Sequence, residues 1–122
     1  MKILLDTHIA LWSLYDSKRL PKDIQDLIVD GDNDVYYSLV SAWEIEIKYG
    51  IGKCMVSGKE FIDGCDSSGF FVLPIKKKHI VGLDDIPLRK DHRDPFDRML
   101  VSQSICEGMK LITMDSKLID YV

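Results

Sequence analysis

The run "KILL" (2–5) has no polar residue after Lys2 and stops at Asp6-Thr7. A strand with one wet face alternates apolar and polar residues. An unbroken apolar run suits a strand covered on both faces, and parallel sheets are built from such strands. "DVYYS" (34–38), "FFVLPI" (70–75, closed by Pro74) and "KLIT" (110–113) read as three more strands. Helical patterns fill most of the space between them. "HIALWSLY" follows the first strand, and Pro21 opens "PKDIQDLIVDG", with Ile24, Leu27 and Ile28 at helical spacing and Gly31 as the stop. A further helix is expected over 95–107. Strands alternating with helices predict an α/β sandwich with a mostly parallel sheet. The 122 residues suffice for one core, and no repeat or linker divides them, so 1–122 reads as a single domain.

Composition narrows the function classes. The longest apolar runs have four or five residues, too short to cross a membrane. Asp6 interrupts the apolar N-terminus before a signal-peptide core could form, so a cytoplasmic location is expected. Cys54, Cys65 and Cys106 are odd in number and lack C-x-x-C spacing, and His8, His79 and His92 are scattered. Neither a disulfide framework nor a zinc site is expected. A net charge of −4 argues against a histone-like grip on nucleic acid but leaves room for one local site. The basic runs "KKKH" (76–79) and "LRKDHR" (88–93) read as solvated faces.

The acids are the informative residues. In an open α/β sheet, ligands sit beyond the carboxyl ends of the strands. Asp6 ends the first strand, and Asp115 follows "LIT" at the end of the fourth. In "HRDPFDRML" (92–100), Asp94 reads as a helix N-cap, Pro95 as the first helical residue, and Asp97 as a first-turn acid. Asp97 shares a helix face with Leu100, Val101 and Ser104, which turns it toward the core edge. "SAWE" (41–44) has the form of a capping box that puts Glu44 in another first turn. Thr7 and Thr113 stand beside two of these acids and could orient carboxylates or water. Each acid could be a plain helix-start residue, but four on one rim make a costly cluster, one that normally holds a hard cation such as Mg²⁺ or Mn²⁺. One segment stays open at this level. "WEIEIKY" (43–49) alternates like a half-buried strand, while the capping pattern before it favours a helix.

Three blocks, "LLDTHIALW" (4–12), "SAWEIEIKYGIGK" (41–53) and "HRDPFDRMLVSQSICEGMKLITMD" (92–115), resemble the PIN-domain family, and within it the VapC-like ribonuclease toxins of prokaryotic toxin–antitoxin pairs. They follow the family's order; the middle, roughly 54–91, matches only loosely. The resemblance implies a three-layer α/β/α sandwich that binds Mg²⁺ or Mn²⁺ and hydrolyses RNA phosphodiesters. It makes Asp6, Glu44, Asp97 and Asp115 the four acids, with Asp94 outside that set, and resolves "WEIEIKY" as a helix. It also implies a homodimer and a small antitoxin partner.

Asp6 and Asp97 are then expected as direct metal ligands. Glu44 and Asp115 are expected as ligands or water-positioning groups, with Glu44 accepting a proton. Arg98 and Lys48 are candidate phosphate contacts. A receiver-like phosphoacceptor would carry paired acids after the first strand, where Asp6 stands beside Thr7. A haloacid-dehalogenase-type phosphatase would need D-x-D, where His8 takes the second position. The other reading is a catalytically inactive binding module with an acidic pocket.

Overall fold

The computed structural model describes residues 1–88 and 94–119. In chain order the elements are β1 (Lys2–Leu5), α1 (Thr7–Leu14), α2 (Lys22–Val29), β2 (Asp34–Ser38), α3 (Leu39–Gly50), α4 (Gly58–Ser67), β3 (Phe71–Leu73) and α5 (Lys77–Val81). A 3₁₀ turn (Gly82–Asp85), α6 (Pro95–Glu107), β4 (Lys110–Ile112) and α7 (Ser116–Ile119) follow. The basic run at 88–93 lies almost wholly outside the described residues.

The four strands form one parallel sheet in the order β3-β2-β1-β4. Ile3, Leu4 and Leu5 pair with Lys110, Leu111 and Ile112, and the Asp6 amide extends that ladder to the Ile112 carbonyl at 3.1 Å. Successive β1 side chains point to opposite faces. Ile3 and Leu5 join Ile9 and Ala10 of α1, Ile24 of α2, Ile45 of α3 and Phe61 of α4 in one core. Leu4 joins Leu100 and Val101 of α6, Leu111 of β4 and Leu118 of α7 in another. These two cores around one sheet make the three-layer α/β/α sandwich. The unbroken apolar run of β1 is what a strand touching both cores requires, and each fully buried Leu or Ile contributes about 1.5–3 kcal/mol.

The segment that sequence periodicity left open is helical, and it starts earlier than the expected capping box. Ser38, at the end of β2, caps α3 by accepting from the Val40 amide at 3.0 Å. Ser41 therefore lies inside the first turn and Glu44 falls in the second. The box fails because Ser41 is fully buried and its hydroxyl is committed to Thr7. At the other expected start, Asp94 caps α6, accepting from the amides of Phe96 at 2.9 Å and Asp97 at 3.0 Å, with Pro95 in the first turn. Gly108 ends α6 at φ 65°, a left-handed backbone that favours glycine.

A buried polar chain ties α3 to α5 and α6. Ser38 Oγ donates to Gln103 Oε1 at 2.6 Å, and Gln103 Nε2 donates to the Pro74 carbonyl at 3.3 Å. Gln103 Nε2 also lies 3.4 Å from His79 Nδ1. The Lys76 amide donates to Nδ1 at 3.0 Å, so Nδ1 is bare and Nε2 carries the proton it gives to Glu107 at 2.7 Å. Lys78 pairs with the same carboxylate at 3.0 Å.

Candidate active site

The strand order places the opening of the site. From β1 the chain steps to β2 and β3 on one side, then returns to β4 on the other, so the order reverses between β1 and β4. α1 leaves β1 toward one core, while α7 leaves β4 toward the other. A crevice opens beyond the carboxyl ends of these two strands, where open α/β sheets bind ligands. A cavity of about 130 Å³ lies there, lined by Asp6, Thr7, His8, Glu44, Lys48, Asp94, Asp97, Asp115 and Leu118. Five of those residues are acids, and Lys48 is the one lysine among them.

Each acid is held by its element. Asp6 is 7% exposed and caps α1, Oδ1 accepting from the Ile9 amide at 2.9 Å. Its Oδ2 accepts from the Thr113 hydroxyl beyond β4, and that hydroxyl receives the Asp115 amide at 3.0 Å. Thr113 thus locks the first acid to the loop that bears the fourth. Glu44 is 6% exposed on the inner face of α3. Its Oε1 accepts from Thr7 at 2.8 Å, and its Oε2 from Lys48, one turn later, at 2.8 Å. The Thr7 hydroxyl has one proton and gives it to the carboxylate, so the Ser41 hydroxyl, 2.9 Å away, must donate to Thr7. The two threonines act crosswise: each orients an acid from another part of the chain. Asp97 is half-buried in the first turn of α6, beside the cap formed by Asp94.

Burial sets the electrostatics of the first acid. It raises the Asp6 pKa from its ordinary value; the Thr113 and Ile9 hydrogen bonds and the charge of His8 oppose the rise, and the charge of Asp115 adds a little to it. The hydrogen bond to Glu44 raises the Lys48 pKa, and the charges of Asp94 and Asp97 add to it. Among the described residues, no three acids or histidines already converge on one point as a finished cage. The donor set nonetheless fits a hard cation. Carboxylate oxygens line one small cavity, and Mg²⁺ in particular binds through one or two carboxylates while keeping several waters.

The expected phosphate contacts divide. Lys48 lines the cavity, whereas Arg98 does not. The Arg98 guanidinium donates to the carbonyls of Pro87 at 3.1 Å, Ile86 at 3.2 Å and Leu83 at 3.4 Å, fastening the chain after the 3₁₀ turn. Sequence reasoning passed over His8, which lines the cavity, and Ser41, which supports Thr7. The i, i+4 spacing of His8 and Trp12 beside Asp6 was a usable signal for the first; Ser41 gave none.

The PIN domain family model matches residues 3–122. No curated protein sequence matches the chain. Among solved structures, VapBC2 from Rickettsia felis, bound to a DNA fragment from their promoter, shares the fold. The TM-score is 0.67 at 18% identity, covering 99% of this chain and 93% of that chain.

Proposed function

The chain belongs to the PIN-domain family, and from that premise we propose that it is a metal-dependent endoribonuclease, the toxin of a toxin–antitoxin pair. One observation carries the reading: Asp6, Glu44, Asp97 and Asp115, from four separate parts of the chain, line one cavity where the strand order reverses. Asp6 and Asp97 are the direct ligands for Mg²⁺ or Mn²⁺, and Glu44 and Asp115 are ligands or hold its waters. Such an ion, when bound, supplies a water of lowered pKa and offsets charge on the phosphate.

The chain's own groups do the rest. Thr113 keeps Asp6 aimed into the cavity, and Thr7 with Ser41 fixes Glu44 where it can take a proton from the attacking water. Lys48 is half-exposed and close enough to exchange its Glu44 contact for a phosphate oxygen. RNA is the substrate, and the site of action is the cytoplasm. The protein partner is an antitoxin, with the toxin itself a homodimer. An apolar groove lined by Leu39, Ala42, Trp43 and Ile62 between α3 and α4, with Trp43 57% exposed, supports a docked partner segment.

The test uses purified protein and single-stranded RNA. Cleavage is expected with Mg²⁺ or Mn²⁺, none with EDTA, and none for Asp6→Asn. Cleavage that persists in excess EDTA refutes the metal-dependent reading. For the partner, co-expression of a small protein encoded alongside should restore the growth of cells that make the toxin.

A further inference from the structure

We infer that His8 and Trp12 form an aromatic platform on which an unpaired base next to the cleaved phosphate stacks. The inference rests on the ribonuclease reading above and specifies its substrate as single-stranded at that nucleotide. The two rings lie one turn apart on α1, with centroids 5.9 Å apart and planes 22° from parallel. Trp12 is half-buried and packs against the core beneath α1, so it fixes the plane of the imidazole lying on it. His8 is exposed and lines the carboxylate cavity, and among the described residues its ring takes no hydrogen bond. An exposed imidazole backed by Trp12 is therefore carried by a residue that lines the acidic cavity.

The placement matches a nucleotide. Asp6 ends β1 and His8 lies two residues on, so the platform is fixed to the first acid by rigid backbone. Every base offers a π-face, so such a platform favours unpaired nucleotides with little regard to sequence. A duplex keeps those faces stacked inside the helix, which leaves none for His8.

The test has two arms on the full chain. In the first, His8→Ala and His8→Phe are assayed for RNA cleavage with Mg²⁺. His8→Ala should raise KM about tenfold with kcat little changed, and His8→Phe should restore the wild-type KM. In the second, Trp43→Phe leaves Trp12 as the one tryptophan, and its fluorescence is followed in EDTA as a short oligoribonucleotide is added. Quenching is expected with intact bases and is lost with an abasic backbone of the same length. Wild-type cleavage with an unchanged KM for His8→Ala, or equal quenching by the abasic strand, overturns the platform and leaves the ribonuclease reading standing. A kcat loss that His8→Phe does not restore overturns it too, since it assigns His8 to chemistry rather than stacking. A wild-type protein that neither cuts nor binds RNA overturns both.

Discussion

Two polar clusters join distant parts of this chain, and they differ in how their charges are balanced. In the chain from Ser38 through Gln103 and His79 to Glu107, donors meet acceptors. Glu107 also has Lys78 at 3.0 Å and Lys76 at 3.8 Å, and the His79 hydrogen bond leads the causes that hold its pKa down to about 2. At the rim, burial pushes the Asp6 pKa up instead. The first cluster stabilises its anion and so holds the fold together. The second buries the Asp6 carboxylate where burial disfavours its charged form, which is what the proposed cation would offset.

The contrast breaks most readily at His79. His79→Leu should cost about 3–5 kcal/mol in urea unfolding, because it strands the Lys76 amide and removes the donor to Glu107. A loss below about 1 kcal/mol would deny the buried chain its structural role.

A smaller effect is expected from acid. The Glu107 pKa is lowered in the folded state, so its contribution is fully present above about pH 4.5 and is lost as pH falls toward about 2. Melting temperatures of wild type should drop through that window. Glu107→Gln should start lower at neutral pH and lose less between the two limits, so parallel curves would contradict the assignment.

Asp94 combines a structural role with a place at the rim, since it caps α6 and lines the cavity. Asp94→Ala should cost about 0.5–2 kcal/mol and Asp94→Asn only a few tenths, with cleavage largely kept in both while folded. Loss of cleavage in a stable Asp94→Asn protein would move this residue into the catalytic set.

These two regions were unequally legible in the sequence. The strands and the start of α6 were readable because they depend on local signals: apolar runs, and the Asp94-Pro95 pair. α3 misled periodicity because its exposed face carries Trp43, Ile47 and Tyr49 while its buried face carries Ser41 and Glu44. Glu44 lines the cavity from that buried face, which also carries Val40, Ala42 and Ile45. The acids could be gathered by asking which ends of strands and helices share a rim. The threonine exchange could not, since Thr7 reaches Glu44 across 37 residues and Thr113 reaches Asp6 across 107. Gln103 and His79 gave no warning either, for their partners are fixed only by how α5 and α6 pack.

Little loss of apo stability is expected at Asp6, the first of the proposed ligands. Asp6→Asn keeps a side chain able to cap α1 and relieves a buried charge, so the metal-free protein should be unchanged or up to about 1 kcal/mol more stable. The decisive measurement is urea unfolding of wild type and Asp6→Asn with and without Mg²⁺. Wild type should gain about 1.4 kcal/mol at ten times its Kd, and Asp6→Asn should gain nothing. Equal stabilisation of the two proteins by Mg²⁺, or a strongly destabilised metal-free Asp6→Asn, would contradict the claim that the rim is built for a cation.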